Sequence, residues 1–478
     1  MHNRTIVNGL AGSCIFLLAT ACNIPQSVVY RAENRTVPAS YNNLQDSANT
    51  VKTKWRDFFT DPYLTTLVDT ALKNNQELNI TLQEIQVARN EIRIRKGEYL
   101  PFVGLQGTTG VEKVGRYTYR GATEATTDIE PGKAMPDPLP YSMLQAFATW
   151  EVDIWHKLRN AKKAALNRYL STMEGRNFMV TNLIAEVATS YYELLALDSQ
   201  LAIVKQNIDI QTNALKIVRL QKESTRVTEL AVRRFEAQVL NTRSIQYNIQ
   251  QRIVETENRI NFLVGRYPQP VARNADMFTN VVPSVVRAGV PSQLLANRPD
   301  IKQAELNLAA AKLDVKVARA NFYPSLRISA AVGLEAFNPS YLLQAPQSLL
   351  YALAGDLVAP LVNRNAIKAT YASANARQIQ AVYQYERTLL KAYIEVANQL
   401  SKINNLEQSY DLKNQEVQAL TQSIAISNNL FSSARADYME VLLTQRDAQG
   451  SRFELVETRM QQMNAMISIY RALGGGWN

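Results

Sequence analysis

The chain has 478 residues, 46% of them hydrophobic and 20% charged, which excludes a disordered chain and allows a large core. Its formal net charge is +10, from 52 Lys and Arg against 42 Asp and Glu. The charges are spread along helical segments and not gathered into one basic block, so no nucleic-acid partner is expected. The two cysteines are Cys14 and Cys22, which excludes a disulfide framework, a thiolate metal site or a cysteine nucleophile in the body of the chain.

Residues 1–21 read as a secretory signal, with Arg4 as the positive start and an apolar stretch from Ile6 to Leu18. The following Leu18-Ala19-Thr20-Ala21-Cys22 resembles a lipobox, although Ala19 holds the place usually taken by Leu. Cys22 is then the expected acylation site and new N-terminus, and residues 22–60 a lipid-anchored N-terminal segment. No later segment holds the run of about 18 apolar residues that a membrane helix needs. Any crossing of a membrane by the body must therefore be made by β-strands.

The body repeats itself. A helical stretch leads to Tyr99-Leu100-Pro101 in the first half and to Phe322-Tyr323-Pro324 in the second. The proline suits a helix-to-strand junction, because it ends the helix and pushes its predecessor to extended geometry. Alternating segments follow at about 102–115 and 142–154, and again at about 325–337 and 348–361. One side of these collects Val103, Leu105 and Val111; Leu144, Trp150 and Val152; Leu326, Ile328 and Val332; and Leu349, Tyr351, Leu353 and Leu357. Period two with one apolar side, over about ten residues, matches barrel strands. Neither Gly nor Pro occurs from Arg176 to Val264 or from Leu361 to Gln449. Such stretches, rich in good helix formers, predict very long helices that fold back once, at Lys222–Thr228 and at Ser432–Asp437.

The expected fold is mainly α with transmembrane β. Two repeats of helix–strand–strand–helix–helix span 61–265 and 299–478, joined by a linker over 266–298. Four strands cannot close a barrel alone, and open edges are not tolerated in lipid. Three copies would supply a twelve-stranded trimeric barrel.

Several motifs carry a family resemblance. They are Trp55-Arg56-Asp57-Phe58-Phe59 with Asp61-Pro62, Asp153-Ile154-Trp155-His156-Lys157-Leu158-Arg159, Gly289-Val290-Pro291-Ser292 running to Arg298-Pro299-Asp300-Ile301 with Ala304-Glu305, and Ala472-Leu473-Gly474-Gly475-Gly476-Trp477. In order and inside the duplicated pattern, they make the chain resemble the outer-membrane factors, the TolC/OprM type of channel, and more closely the lipoprotein branch serving RND efflux pumps. The resemblance implies a homotrimer in the outer membrane, lipid-anchored and extended into the periplasm as a long helical tube. It implies a passive exit duct for drugs or other small toxic compounds, partnered by a periplasmic adaptor protein and an inner-membrane RND-type transporter. In the family, acidic residues near the second-repeat tip narrow the periplasmic mouth. Glu440 falls on one such position. Leu443 stands where related channels carry Asp, so the acidic ring expected here is either weaker or built from Glu440 and Asp437. Arg435, Arg226 and Glu229 are candidates for closing pairs between tips.

No catalytic constellation or cofactor motif is found, so neither an enzyme nor a cofactor is expected. Of the two histidines, His2 lies in the signal and His156 at a strand–helix junction, where a structural role is expected. Arg298-Pro299-Asp300 reads as a helix start, with Pro in the first turn and an acid beside the N-terminus. Trp150 and Tyr141 fit an interfacial aromatic belt or packed strand positions alike. The rival to a channel is a non-conducting periplasmic coiled-coil tether, against which the alternating segments speak.

Overall fold

The computed structural model describes residues 31–41, 54–274, 278, 288–362, 364–433 and 435–477. The signal segment and Cys22 lie outside the described residues. In chain order the elements are α1 (Trp55–Phe58), α2 (Pro62–Asn74), α3 (Gln76–Tyr99), β1 (Phe102–Glu112), α4 (Tyr119–Thr126), β2 (Asp128–Glu130), β3 (Lys133–Ala134), β4 (Leu139–Val152), α5 (Lys157–Glu223), α6 (Glu229–Leu263), α7 (Leu294–Asn297), α8 (Pro299–Ala320), β5 (Ser325–Ala336), β6 (Leu349–Val358), α9 (Asn365–Ser432) and α10 (Tyr438–Ala472). None of these helices is long and apolar enough to cross a membrane.

The duplication is visible down to single hydrogen bonds. Helices α5 and α9 have 67 and 68 residues, and α6 and α10 have 35 each. Helix α6 ends on Gly265 and α10 on Gly474, both with positive φ, the left-handed cap that glycine adopts at no steric cost. A Cβ on Gly265 would lie 2.5 Å from the Asn74 carbonyl oxygen, and one on Gly474 would lie 2.6 Å from that of Asn297. Both hairpins thus end against the residue that closes the preceding short helix.

The chain divides into two compact units. The first is built from Gln86–Leu170 and Leu306–Tyr383 together with Arg31 and Ala32. Its centre is a four-stranded antiparallel sheet in the order β1-β4-β5-β6. The pairing of β4 with β5 joins the two sequence repeats, so neither repeat is a compact body by itself. At the helix end of the sheet, Phe322 packs on Tyr371 with Ala318 and Ala374. The connection from β1 to β4 holds α4 and the β2–β3 ribbon, for which the sequence shows no alternation long enough to read. It is held by ion pairs, Arg116 to Asp137 at 2.9 Å and Arg120 to Glu112 at 2.7 Å.

The second unit is built from Glu33–Ile85, Ser171–Glu305 and Gln384–Asn478. Its main core gathers Leu64 and Val68 of α2, Val187, Tyr191 and Leu195 of α5, Ile260 of α6, and Ile467 and Tyr470 of α10. The motif Trp55-Arg56-Asp57-Phe58-Phe59 is legible as packing here. Phe58 stacks on Tyr470 with ring centroids 4.2 Å apart, and Phe59 is buried. Asp61 caps α2 by accepting the Tyr63 and Leu64 amides and the Tyr191 hydroxyl, the last at 2.7 Å.

Candidate functional site

The sheet presents two chemically different faces. Paired residues of antiparallel strands share a face, so the register can be followed across all four strands. Leu105 pairs with Ala146, which pairs with Val332, which pairs with Tyr351. The next row of that face runs from Val103 through Ala148 and Ala330 to Leu353, and the row beyond from Gly107 through Leu144 and Leu334 to Leu349. No row of this face carries a charge. Its large side chains are exposed, Leu105 at 83%, Tyr351 at 82% and Leu353 at 79%. A monomeric soluble protein does not leave so continuous an apolar surface in water.

The opposite face carries the charged residues of the sheet, among polar, small and a few aromatic ones. One row runs from Gln106 through Gln145 and Gly333 to Leu350, with Gln145 donating to Gln106 at 3.1 Å. Another sets Glu151, Arg327 and Asp356 side by side. Where glycine thins β1, an aromatic from β4 covers it, Phe147 over Gly104 and Tyr141 over Gly110. Tyr141 is therefore a packed residue of this polar face. Trp150 lies in the apolar face, paired with Ile328, and its indole donates to the Tyr99 carbonyl at 3.1 Å. It stands at the helix end of the strand, the place an interfacial aromatic takes. Among the described residues, β1 and β6 pair on one side only.

The strand-to-helix junction after β4 is built by Asp153 and His156. Asp153 accepts the Leu158 and Arg159 amides at 3.0 and 2.9 Å, capping α5. His156 has φ of 57° and sits in the turn between them. Among the described residues no three His, Cys, Asp or Glu side chains are grouped as a metal site.

The second candidate region is the pair of helix turns. Thr225 has φ of 58°, and the Arg226 amide donates to the Gln221 carbonyl at 2.9 Å, the bond of a Schellman closure. In the other repeat the Arg435 amide donates to the Leu430 carbonyl at 2.8 Å. The two bonds are 209 residues apart in sequence, so Thr228 corresponds to Asp437, Val232 to Val441 and Ala231 to Glu440. Arg226 and Asp437 line one cleft of about 310 Å³ with Thr228, Phe431 and Tyr438. Glu229 is held inside its own hairpin by Lys222 and by Arg233 at 2.8 Å, and the Lys222 ammonium, helped by Arg233, keeps its carboxyl below the usual carboxylate range. Arg435 is exposed. Asp437 precedes α10 and Glu440 lies in its first turn; both are exposed, and neither makes an ion pair among the described residues. Leu443 is 40% exposed.

The two hairpins differ inside. Beneath the first turn, Leu215, Val218, Ala231, Val232, Phe235 and Val239 form a buried apolar cluster. The corresponding positions for Val218, Phe235 and Val239 are Ser427, Thr444 and Ala448. Gln445 and Ser451 are buried nearby, and Gln445 Oε1 and Ser451 Oγ have no hydrogen-bond partner. Phe431, Tyr438 and Leu442 of the second hairpin lean on the first hairpin's cluster.

The sequence reading of Arg298 missed its main contacts. Its guanidinium, 5% exposed, pairs with Asp300 at 2.6 Å and Glu395 at 2.9 Å and donates to the Ala472 carbonyl at 2.8 Å. In the first repeat Asn75 donates to the Leu263 carbonyl at 2.9 Å. Leu263 and Ala472 are equivalent last residues of α6 and α10. Each short helix start thus satisfies an orphan carbonyl of a long helix. The signal was present as two polar residues placed before a helix in both repeats, but nothing in the sequence names their partners.

Comparison with known proteins agrees with this architecture. The family model described as outer membrane efflux protein matches residues 67–266 and 290–475. The pyoverdine export outer membrane protein OpmQ of Pseudomonas aeruginosa is 28% identical over 424 residues, covering 89% of this chain and 87% of that protein. The cation efflux system protein CusC of Escherichia coli is 26% identical over 472 residues, covering 97% and 98%. Among solved structures, the open state of the MtrE outer membrane channel of Neisseria gonorrhoeae superposes with a TM-score of 0.82 at 21% identity, covering 94% of this chain and 98% of that one. VceC of Vibrio cholerae gives 0.79 at 22%, covering 89% and 98%.

Proposed function

The chain belongs to the outer membrane efflux protein family, and on that footing we propose that three copies form the outer-membrane duct of a tripartite efflux pump. The observation that carries this is the sheet. It has one uncharged, exposed apolar face, one polar face, and two strands each paired on one side only. In hydrocarbon an unpaired edge costs several kcal/mol per orphan group, so β6 of one copy must meet β1 of the next. Three copies give twelve strands, an even number in the range of bacterial barrels. The apolar face then meets lipid and the polar face lines the pore. A tether would leave that apolar face without an occupant.

In this reading Cys22 carries acyl chains that hold the N-terminus in the outer membrane. The turns at Arg226 and Arg435 form the periplasmic tips, where an adaptor protein and an inner-membrane RND-type transporter engage. Three copies of Glu440 and Asp437 would ring the mouth with unpaired carboxylates, favouring cations over anions. The softer second hairpin is the part that moves when the mouth opens, because it holds fewer apolar contacts. Arg226, Glu229 and Arg435 serve the turns themselves: Glu229 ties the first hairpin and the two arginine amides close the bends. The relatives export pyoverdine and cations respectively, so their resemblance does not choose a cargo. We assign small toxic compounds, with selection left to the pump.

The test is oligomer mass in detergent together with single-channel conductance in planar bilayers. A conducting trimer is the expected result. A monomer that never conducts would refute the duct.

A further inference from the structure

The +10 charge of the chain is concentrated in the first compact unit's helices. The helical stretches 86–100, 155–170, 306–324 and 359–383 hold 15 Lys and Arg but only 3 Asp and Glu, whereas the strands and loops between them, 101–154 and 325–358, hold 5 and 9. The basic excess therefore begins where the strands end. It is spread along the sequence but gathered by the fold, because all four stretches adjoin the same end of one sheet.

Part of this collar is organised beside the apolar face. Lys96 and Tyr99 lie three residues apart on α3, and Arg159 and Lys163 four apart on α5, spacings that put each pair on one helix face. Arg159 joins the two faces, donating to the Tyr99 hydroxyl at 3.0 Å with its guanidinium 5.2 Å from the ring centre. Tyr99 in turn accepts the indole of Trp150, a residue of the apolar face. Lys96, Arg159 and Lys163 are exposed. A few residues away Trp155, 45% exposed, stacks on Tyr323 at 4.5 Å and donates to the Pro324 carbonyl at 2.7 Å. Aromatic side chains with an apolar body and a polar tip, set between an apolar belt and exposed cations, match the chemistry of a lipid headgroup layer.

We propose that Lys96, Arg159 and Lys163 form a binding site for anionic phospholipid headgroups, of the phosphatidylglycerol class, in the periplasmic leaflet of the outer membrane. The inference rests on the reading that the sheet spans the membrane. Zwitterionic lipid offers the same apolar chains without net charge, so headgroup charge is what the site discriminates. Each cation near an anionic surface contributes about 1 kcal/mol, or roughly fivefold in affinity.

The test uses the full-length protein reconstituted in phosphatidylcholine vesicles at low salt, with brominated lipids as quenchers of tryptophan fluorescence. Trp150 and Trp155 report from the collar. Brominated phosphatidylglycerol is expected to associate at least about fivefold more strongly than brominated phosphatidylcholine, the contribution of a single cation, with the preference lost in molar salt. The triple variant Lys96→Gln, Arg159→Gln, Lys163→Gln should abolish the preference, while Lys96→Arg with Lys163→Arg should keep it. Equal quenching by the two lipids in the unaltered protein overturns the proposal. So does a preference that survives in the triple glutamine variant. If neither brominated lipid quenches, the membrane reading of the sheet fails and the proposal falls with it; that outcome is separate, since a failed headgroup site alone would leave quenching equal and strong.

Discussion

The difference between the two helical hairpins can be weighed. In the first, Val218, Phe235 and Val239 are 1%, 1% and 5% exposed; in the second their places are taken by Ser427, Thr444 and Ala448. A fully buried side chain of that size is worth roughly 1.5–3 kcal/mol. Three of them sum to roughly 5 kcal/mol, and about 4 once the unfolded chain's own residual burial is allowed for. Orphan buried polar atoms, each costing about 1–3 kcal/mol, add little to the contrast, since Gln221 Oε1 lacks a partner in the first hairpin as Gln445 Oε1 and Ser451 Oγ do in the second. At about 1.4 kcal/mol per tenfold, amides of 420–451 should open to exchange about a thousandfold more readily than those of 211–242. Hydrogen–deuterium exchange with mass spectrometry on the assembled protein reads both hairpins in one experiment. Equal protection, or better protection of the second hairpin, would show that packing in the hairpin core does not set its stability. Transplanting the apolar set by Ser427→Val, Thr444→Phe and Ala448→Val should slow exchange in 420–451 and leave 211–242 unchanged.

Arg298→Ala should destabilise the second unit by about 3 kcal/mol, the lower end for breaking a buried ion pair because Glu395 is partly solvated; thermal unfolding followed by circular dichroism should show it, and Asn75→Ala should cost less, about 2 kcal/mol for one cap and one carbonyl bond. Melting points indistinguishable from the parent would remove Arg298 as a tie between α8, α9 and the end of α10. Glu440→Ala is expected to raise the resting conductance and weaken cation selectivity; unchanged single-channel records would take Glu440 out of the mouth. Cys22→Ser should abolish incorporation of labelled palmitate, and continued labelling would refute acylation at that residue.

Much of this architecture was legible because period and punctuation survive in a single sequence. Pro101 and Pro324 mark where helices give way to strands, and the long stretches without Gly or Pro mark α5–α6 and α9–α10. The alternation of Val103 with Leu105, or Tyr351 with Leu353, names the apolar face before any pairing is known. What stayed hidden depends on pairing across the fold. Arg298 lies 97 residues from Glu395 and 174 from Ala472, and no local pattern links them. The basic collar looked like scattered charge because its four stretches are separated by strands and loops. Helix α4 and the β2–β3 ribbon are too short to show a period. The correspondence of Glu440 with buried Ala231 needed the equivalent closing bonds at Arg226 and Arg435 to set the register.

In the proposed duct, strands β1 and β6, each paired on one side only among the described residues, tie membrane entry to assembly. A lone copy carries rows of main-chain donors and acceptors that hydrocarbon cannot satisfy, so insertion has to wait for its neighbours, and its rate must climb steeply with the number of chains at hand. The same logic makes inheritance uneven. If three copies close one ring, as proposed, one damaged copy spoils the closure, so a cell in which half the chains are defective keeps only about one-eighth of its channels intact by random threefold mixing. A harmful substitution along either strand margin should therefore act dominantly over a normal copy, whereas one confined to a distal loop should not.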